Sequence, residues 1–558
     1  MVALQVFTFA AVLEVLLVAR GALSSYLPDI IRKMSLSSII ILIFAVNYTT
    51  WLIYRLMIYP VFVDPLRSFP GPSSVNGLKL LWFRLTTTVI PAERYVTIAK
   101  RFSNDSVIAL RGLGKTQLLL TKPDSIAEVL TDHPYDFIKP PVVRKFLGLI
   151  LGENGQFFAE GERHKFIRKN TRPAFSSRAL QDLYPMMWTK ALTLTRLLRD
   201  EVQQQSTAAD SMGTVDICPW ATRASLDVIG IAGLGREFNM LKNSDDKLFK
   251  AYEYISEPSL EKIVYAFLCS SFSYQMVQRL PFWSLNVTFR ENIESIRRIA
   301  EDLVREKREA IVGKGDDNFD ILSLLIRSDN FSDSELVDQL LTYLVAGHET
   351  TSLAFTWACY LLATHPNWQT ALREEVRQAL SSHLNSSSSV SIQHKDLGSI
   401  LESLPILHGV VEEALRLYPA APILLRVAAV DTHLCSRPIP KGTWILIPPW
   451  LINRSPEFWG ADASDFRPDR WISPGGKRPI SNAGTAAGNS GSLTFLRGPR
   501  GCIGQNFSRA ELRCLIAAMV GQFEWTLAMP EDRVVPSGAV TIKPANGLYV
   551  QLKSIGPE

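Results

Sequence analysis

The sequence has no long run of like charges. Its 59 Lys and Arg residues nearly balance its 54 Asp and Glu residues, which leaves a net charge of +5 over 558 residues. A protein that binds nucleic acid usually concentrates basic residues in an arm, and no such segment occurs in the sequence. The charge pattern therefore predicts no nucleic-acid partner.

Paired cysteines are also missing. The six cysteines have neither a CxxC pair nor an even spacing, and they are Cys218, Cys269, Cys359, Cys435, Cys502 and Cys514. This distribution argues against a disulfide framework and against a zinc site. Most of these cysteines are expected to pack as small apolar side chains. Cys502 differs from the others because glycines surround it.

Neither an internal repeat nor a change of composition marks a second globular unit, although 558 residues exceed the usual single domain. Stretches with apolar residues at helical spacing dominate, and short strand-like runs separate them. The predicted helices include 292–312, 334–365 and 368–380, and the predicted strands are 106–111, 117–121, 443–447 and 548–552. The sequence predicts one large domain, mainly α with small β-sheets, that buries an extensive core.

Apolar residues are concentrated near the N-terminus. The segment 36–54 holds 19 residues without a charge, with aromatic residues near its C-terminal rim. This length suffices to cross a bilayer, and the segment starts too deep in the chain for a removed signal peptide. The prediction is a membrane anchor in residues 1–63, with its main span at 36–54, followed by a catalytic domain in residues 64–558.

The preceding apolar segment, residues 2–19, has three interpretations. It contains Gln5 and Glu14, and it can form a second span, an interfacial helix or a segment packed against the main span. With two spans the basic residues of 20–33 would face the lumen, against the positive-inside tendency, so the orientation stays open. The prolines that follow the main span, at 65, 70 and 72, predict a stiff, non-helical joint before the domain.

One glycine-rich segment, FLRGPRGCIG at 495–504, has the features that a thiolate ligand of iron requires. The sulfur must lie in a loop whose backbone approaches the metal closely, which favours glycine on both sides of Cys502. An aromatic ring such as Phe495 shields the sulfur, and a guanidinium such as Arg500 pairs with a haem propionate. A buried structural cysteine in a glycine-rich turn is the alternative, and it does not account for the full pattern.

All five fixed positions of this segment match FxxGxRxCxG, and from about Asp64 to its C-terminus the chain resembles the cytochrome P450 family. The resemblance implies that family's haem-thiolate fold, with haem b (iron protoporphyrin IX) as the cofactor. It implies that Cys502 is the axial ligand of the iron, that Phe495 lies beside the sulfur, and that Arg500 binds a propionate.

A second element, AGHETT at 346–351, lies in the middle of the predicted helix 334–365. Gly and Thr are poor helix formers, and a Thr hydroxyl that bonds the carbonyl four residues earlier bends a helix and opens a groove. The family uses this motif to activate oxygen, which implies that Thr350 positions a proton-donating water and that Glu349 relays protons from solvent. Tyr343, two turns earlier, is either a polar handle in the distal pocket or a core tyrosine.

Further elements follow the order that the family uses. Glu413 and Arg416 in EALR, together with Arg470 in FRPDRW, imply a buried ion network with a structural role. Arg426 occupies the place of a propionate-binding arginine in the family. These matches extend the resemblance through the C-terminal half of the chain.

The segment 161–172 resembles a helix that contacts a propionate through a WxxxR motif. Arg168 fits the arginine, whereas His164 stands where tryptophan is common, and either ring has a nitrogen that can donate a hydrogen bond. Five basic residues crowd this segment, namely Arg163, Lys165, Arg168, Lys169 and Arg172. A charge run is usually a solvated face, but the resemblance implies that an acidic, NADPH-dependent reductase docks here.

The resemblance implies a monooxygenase that inserts one oxygen atom from O2 into a lipophilic small molecule, terpenoid, polyketide-derived or fatty-acid-like, in secondary metabolism. It also implies a place in the endoplasmic reticulum membrane, with the catalytic domain facing the cytosol. The alternative is a haem-thiolate isomerase or peroxygenase, or a non-enzymatic haem-binding membrane protein. The pair Glu349 and Thr350 favours the monooxygenase, since a protein that delivers no protons to oxygen has little use for it.

Overall fold

Helices dominate the computed structural model, as the sequence predicts. The structure describes residues 2–19, 34–72, 91–111, 115–205, 212–243, 247–256, 260–271, 274–279, 283–314, 320–384, 396–475, 492–538 and 540–555. The α-helices within these residues are α1 Val2–Ala19, α2 Leu36–Ile53, α3 Pro91–Arg101, α4 Pro123–Ala127, α5 Pro141–Leu151, α6 Gly161–Thr171, α7 Ser177–Gln205, α8 Ile217–Leu234, α9 Lys247–Ser256, α10 Leu260–Ser271, α11 Tyr274–Val277, α12 Ser284–Lys314, α13 Ile321–Arg327, α14 Asp333–Thr364, α15 Pro366–Leu384, α16 Leu397–Ser403, α17 Pro405–Leu417, α18 Pro449–Ile452, α19 Pro456–Trp459 and α20 Gln505–Gln522.

The strands are short. They are β1 Val107–Leu110, β2 Gln117–Leu120, β3 Phe137–Ile138, β4 Met212–Asp216, β5 Leu424–Ala428, β6 Thr432–Leu434, β7 Arg437–Ile439, β8 Trp444–Ile447, β9 Phe523–Leu527, β10 Pro536–Ser537, β11 Lys543–Pro544 and β12 Tyr549–Ser554. The π-helices are Tyr54–Val63 and Glu128–Asp132, and the 3-10 helices are Arg172–Phe175, Pro468–Trp471 and Glu531–Arg533. The four predicted strands correspond to β1, β2, β8 and β12.

The long helices lie where the apolar periodicity predicts them. The helix predicted at 334–365 is α14, and the hydroxyl of Ser332 accepts the amide hydrogen of Glu335, whose carboxylate accepts the amide hydrogen of Ser332. This capping box fixes the start of the helix, and Pro366 begins the next helix. The helices predicted at 292–312 and 368–380 lie within α12 and α15.

Contacts divide the chain into two compact units. The first comprises Met1–Thr88, Arg94–Val129 and Leu425–Ile447, and the second comprises Val89–Glu93, Leu130–Leu424 and Pro448–Glu558. The first unit contains a sheet in the order β1-β2-β8-β5, in which β1 and β2 are antiparallel and β2 and β8 are parallel.

Within the first unit, α2 continues into the π-helix. Together they form one helix, Leu36–Val63, of 28 residues, long and apolar enough to cross a membrane by its length and composition. The helix extends beyond the predicted span 36–54, and α1 packs against it. The basic residues at 20–33 lie outside the described part of the chain.

The joint that follows this helix is fixed by hydrogen bonds. The carboxylate of Asp64 accepts hydrogen bonds from the Leu66 amide at 3.0 Å and from the Thr116 hydroxyl at 2.6 Å. The Arg111 guanidinium donates to the carbonyl oxygen of Phe69 at 2.7 Å. The joint is therefore stiff because its polar groups are bound to other parts of the first unit, in addition to its prolines.

The second unit is built around α14, which packs against α8, α12, α17 and α20. One apolar cluster runs through this unit and includes the fully buried side chains of Tyr184, Phe289, Phe355, Trp357 and Phe523. Burying one such side chain contributes roughly 2–3 kcal/mol to folding. Strands β4, β12 and β9 form an antiparallel sheet in that order. The core thus holds α14 and α20 in a fixed relation.

Candidate functional site

The predicted cysteine loop forms a tight turn before α20. The amide of Cys502 donates to the carbonyl oxygen of Phe495 at 2.8 Å, and the amide of Gly501 donates to that of Gly498 at 3.0 Å. Gly498 has a φ of +71°, and a Cβ there would lie 2.1 Å from the carbonyl oxygen of Leu130. Both the dihedral angle and the close approach demand glycine at this position.

Cys502 is exposed, whereas the other five cysteines are buried or half-buried. The sulfur is accessible although protein surrounds the loop, and this burial raises the pKa of the Cys502 thiol. The Gly504 amide and the cations Arg168 and Arg509 act in the opposite direction and lower that pKa. The N-terminus of α20, three residues after Cys502, adds further positive potential. These groups offset the effect of burial only in part, so the pKa of the free Cys502 thiol stays raised, and a coordinated metal ion would supply the deprotonation.

Phe495 lies in the same loop and carries a cation on its ring. The guanidinium of Arg509 lies 4.8 Å from the ring centroid, and two hydrogen bonds of 2.5 and 2.9 Å hold it to Glu412. Burial would raise the pKa of Glu412, but the charge and the hydrogen bonds of Arg509 lower it, so this pair is ionic. No local pattern in the sequence predicts this pair, whose members are 97 residues apart.

Arg500 is buried, and protein groups occupy both terminal nitrogens of its guanidinium. It donates to the carbonyl oxygens of Pro134 at 3.0 Å and Phe137 at 2.7 Å, and to the carboxylate of Glu160 at 2.7 Å. Its Nε is buried and has no hydrogen-bond partner among the residues that the structure describes. One donor is therefore available for a propionate, and the other donors fix the side chain.

Arg168 and His164 lie on α6, on one side of the cysteine loop. Arg168 donates to the carbonyl oxygen of Gly501 at 2.6 Å, which ties α6 to the loop. His164 is buried, and its Nδ1 lies 3.2 Å from the hydroxyl of Tyr135, whose ring also packs under Arg500 at 5.9 Å. The structure therefore brings together Cys502, Arg500, Arg168 and His164.

Arg426 belongs to the first unit. It lies on β5, is buried, and donates to the carbonyl oxygen of Leu425 at 2.9 Å. Its predicted role in binding a propionate stays a prediction.

The middle of α14 has an accessible side and a buried side. Ala346 is exposed and Thr350 is half-buried, and the Thr350 hydroxyl donates to the carbonyl oxygen of Ala346 at 2.7 Å, the bond to the carbonyl four residues earlier that the sequence predicts. On the other side, Thr351 is buried and its hydroxyl lies 3.2 Å from that of Ser508 on α20. This contact joins the AGHETT motif to the helix that follows Cys502.

Glu349 is half-buried, and its carboxylate is held from across the unit. The hydroxyl of Thr541 donates to it at 2.7 Å. Thr541 lies just before β11, and no local pattern in the sequence singles it out.

Tyr343 is a core tyrosine, so its interpretation as a handle in the distal pocket is wrong. Its side chain is 7% exposed, and its hydroxyl donates to Gln156 at 2.8 Å and lies 3.2 Å from the Thr171 hydroxyl. The hydroxyl is satisfied inside the protein, as is usual for a buried tyrosine.

The predicted ion network is present and fully buried at its centre. Glu413 accepts two hydrogen bonds of 2.7 Å from Arg416, and Arg470 lies 3.3 Å from the same carboxylate. Trp471, which stands where the family more often has Phe, also donates to Glu413 through its indole N–H at 2.9 Å. The departure from the family pattern therefore adds a partner to the network.

Asn453 extends this network to the cysteine loop, and sequence reasoning missed it. It is fully buried, donates to the carbonyl oxygen of Arg416 at 3.0 Å and accepts the amide hydrogen of Leu493 at 2.7 Å. Leu493 begins the segment that leads to Phe495. The ion network thus positions the start of the loop.

Some of the basic residues of α6 bind other protein groups, and others are exposed to solvent. Arg163 pairs with Glu335, Lys165 pairs with Glu162 at 2.6 Å, and Arg168 binds the cysteine loop. The side chains of Lys169 and of Arg172, which follows the helix, are exposed. Lys169 and Arg172 thus place exposed positive charge in the same segment as Arg168.

The segment 264–289 is rich in aromatic residues and is described only in part. Phe282 lies outside the described residues. Trp283 packs edge-on against Tyr265 at 5.4 Å and donates to Glu261 at 2.5 Å. The ring of Trp283 therefore has partners inside the protein.

The residues of this site suit a haem group. A haem with a thiolate ligand needs an accessible sulfur beside amide donors, cations for two carboxylates, and an apolar helix face. Cys502 with the Gly504 amide meets the first need, and the unpaired Nε of Arg500 is a donor for a carboxylate. The exposed Ala346 provides an accessible apolar position in the middle of a mostly buried helix.

Comparisons with known proteins agree with this geometry. The family model described as Cytochrome P450 matches residues 70–550. Cytochrome P450 monooxygenase sphH of Aspergillus fumigatus is 38% identical over 512 residues, which cover 90% of this chain and 91% of that protein. Cytochrome P450 monooxygenase ptmK of Penicillium ochrochloron is 37% identical, with 90% and 97% covered. The crystal structure of the cytochrome P450DA heme domain shares the fold, with a TM-score of 0.68, 21% identity and coverage of 88% and 98%.

Proposed function

The chain belongs to the cytochrome P450 family and is a monooxygenase, and we propose that it inserts one oxygen atom from O2 into a lipophilic small molecule. The accessible Cys502, held in a tight turn before α20 by the hydrogen bond from its amide to Phe495, carries this proposal. Its substrate is proposed to be terpenoid, polyketide-derived or fatty-acid-like, in secondary metabolism.

The family's haem is proposed to be haem b. Cys502 would ligate the iron, Arg500 would offer its Nε to a propionate, and Arg168, His164 and Arg426 would complete the propionate contacts. Phe495 would shield the sulfur, with Arg509 on its ring. When bound, a haem with a thiolate ligand supplies the activation of dioxygen.

Glu349 and Thr350 are proposed to move the protons that this activation consumes. The Thr350 hydroxyl donates to the Ala346 carbonyl and is left with acceptor capacity for a water. Glu349 is half-buried and bound to Thr541, so its carboxylate can exchange one hydroxyl partner for water. A proton relay needs a group that reaches both solvent and the site, and Glu349 has the exposure for this.

Exposed positive charge and an apolar helix support two proposed partners, a reductase and a membrane. Lys169 and Arg172 offer exposed positive charge beside the cysteine loop, where an acidic NADPH-dependent reductase would dock. Residues 1–63 are proposed to anchor the catalytic domain, 64–558, in the endoplasmic reticulum membrane with its active side in the cytosol. The 28-residue apolar helix supports this location.

The test is reconstitution with an NADPH-dependent reductase in membranes, using one panel of each substrate class. We expect a product heavier by one oxygen atom that requires both NADPH and the reductase, and a substrate-induced shift of the Soret band. Product that forms with hydrogen peroxide but never with NADPH and reductase would favour the peroxygenase or isomerase alternative. An isomer without added oxygen would do the same.

A further inference from the structure

We propose that α1 is a second membrane span, so that α1 and α2 cross the bilayer as an antiparallel hairpin. Each helix has 18 residues. At 1.5 Å per residue each is about 27 Å long, close to the roughly 30 Å of the hydrocarbon core. The inference rests on the membrane location proposed above and decides the number of crossings.

Two contacts give the direction of the pairing. The ring of Phe7 lies 6.3 Å from that of Tyr54, and the side-chain amide of Asn47 donates to the carboxylate of Glu14 at 2.9 Å. Residues later in α1 therefore contact residues earlier in the second helix. The helices are therefore antiparallel, and the N-terminus of α1 lies beside the end of α2 that leads to the rest of the chain.

Two polar side chains of α1, those of Thr8 and Glu14, face α2. The hydroxyl of Thr8 lies 3.2 Å from that of Tyr48, and Glu14 accepts the hydrogen bond of Asn47, which also donates to the carbonyl oxygen of Ile43 at 3.1 Å. Inside hydrocarbon an unpaired polar group is costly, and transmembrane helices satisfy such groups through bonds to each other. This arrangement is the one that a bilayer selects.

The outward side of α1 is apolar. Its exposed large side chains are Val6, Phe9, Val12, Leu13 and Leu17, and that of Phe9 is 70% exposed. A helix that lies in the interface turns charged residues outward and its apolar side inward, whereas here Glu14 faces α2. Ala11 is fully buried, and its small side chain lets the helices approach closely. The partner that fits this surface is the hydrocarbon of the bilayer.

The experiment compares full-length chains that carry an epitope tag at the N-terminus or at the C-terminus, in intact microsomes treated with protease. Two spans predict that both tags are digested and that the chain resists carbonate extraction. A protected N-terminal tag with a digested C-terminal tag means one span, which overturns the inference and leaves the proposed function intact. Extraction by carbonate also overturns it. Protection of both tags retains the hairpin but contradicts the proposed cytosolic orientation.

Substitutions test the bond that joins the helices. Asn47→Leu leaves Glu14 without its donor, so we expect the protected fraction of the N-terminal tag to rise about threefold to tenfold. Adding Glu14→Leu removes the unpaired group and should restore the distribution of the unsubstituted chain. Val46→Leu, at an exposed apolar position, is the matched control and should change nothing. If Asn47→Leu matches the control, the Glu14–Asn47 bond does not hold α1 in the bilayer.

Discussion

Thr350 and His348 are two residues apart on α14, and the helix gives them opposite surroundings. His348 is buried, its Nδ1 lies 2.7 Å from the carbonyl oxygen of Leu344, and burial lowers its pKa, so it is a neutral core residue. Thr350 lies on the accessible side with Ala346. We therefore assign the chemistry proposed for the AGHETT motif to Thr350 and Glu349, and its histidine packs the helix.

Replacing Thr350 tests the proton path. Thr350→Ala removes the hydroxyl, so protons should reach the oxygen less selectively and electrons should be lost as hydrogen peroxide. We expect at least about tenfold less product per NADPH, in the range usual for general acid–base groups. The measurement is hydrogen peroxide released per NADPH consumed. Thr350→Ser keeps the hydroxyl and should stay close to the unsubstituted enzyme, and equal leakage from both variants would contradict the assignment.

Glu511 is a buried carboxyl group that the proposed chemistry does not use. It lies on α20, is fully buried, and neither oxygen accepts an aligned hydrogen bond from a described residue. Burial raises the pKa of Glu511 to about 8. The nearby Ser225 hydroxyl lowers this pKa in part, although it is not aligned for a hydrogen bond to either carboxylate oxygen. At neutral pH the folded protein holds this carboxyl group protonated.

Stability should therefore depend on pH through Glu511. The pKa is raised from its ordinary 4.5 to about 8, so between these values the folded state keeps a proton that the unfolded state has released. The free energy of unfolding then falls as pH rises through this window, by up to about 1.4 kcal/mol per pH unit. Glu511→Gln removes this loss, so its advantage over the unsubstituted protein should grow from pH 5 to pH 8.

The measurement is thermal unfolding of the full chain across that range. The exposed Glu309 provides the control, because Glu309→Gln should show no such trend. A constant difference between Glu511→Gln and the unsubstituted chain would mean that Glu511 is ionised in the folded state.

Single residues with a dense local pattern could be predicted from the sequence, and isolated partners could not. Glycines at fixed positions of FxxGxRxCxG surround Cys502, so nearby residues predict the tight turn that holds it. Thr541 and Asn453 act through one long-range contact each, and only the folded chain shows those contacts. Tyr343 shows what helical spacing cannot predict. The spacing places Tyr343 two turns before Thr350, but it does not predict which neighbours bind the hydroxyl.

At the scale of elements, the buried network around Glu413 joins α17 to the segment that carries Arg470 and Trp471. Glu413 and Arg416 are both fully buried, and the guanidinium also donates to the carbonyl oxygens of Asn453 and Ala463 at 2.6 Å. Burying two charges is stabilising only when all their hydrogen bonds are made, and here they are made. The network serves as a rigid support for the start of the cysteine loop.

Removing one charge of this network should be costly. Glu413→Gln leaves the fully buried Arg416 without its counter-charge, while Arg470 keeps Asp462 at 2.7 Å, and we expect a loss of about 3–5 kcal/mol in the free energy of unfolding. Denaturant unfolding of the full chain measures it. Glu162→Gln breaks the exposed pair with Lys165 and should have no measurable effect. Similar losses from both substitutions would show that burial does not set the strength of this network.

Element boundaries were predicted well where a local signal marks them. The capping box at Ser332 and the proline at 366 bound α14 within one residue of the prediction. The main span was different: it was predicted to end at Tyr54, before Arg55, but the helix continues as a π-helix to Val63 with Pro60 inside it. A charged residue ends an apolar run in a sequence, but it does not end a helix. Here the guanidinium of Arg55 stacks on the ring of Tyr59, 4.0 Å from its centroid, and the helix continues past it.

At the scale of the whole molecule, the sequence predicted the mainly helical fold with small sheets and the family, and both are confirmed. Composition contributed little to this prediction, because no change of composition along the sequence marks the two compact units. The substrate is not encoded in any motif, because an apolar pocket is formed by many interchangeable side chains. The membrane location and the reductase stay proposals.

The central claim is that Cys502 supplies a thiolate to a haem iron. A carbon monoxide difference spectrum of dithionite-reduced membranes tests it most directly, with the unsubstituted chain beside Cys502→Ser and with Cys514→Ser as a control at a buried cysteine. We expect a strongly red-shifted Soret band in the unsubstituted chain and in Cys514→Ser, and its loss in Cys502→Ser. An unshifted band in the unsubstituted chain, or a shifted band that survives Cys502→Ser, would contradict it.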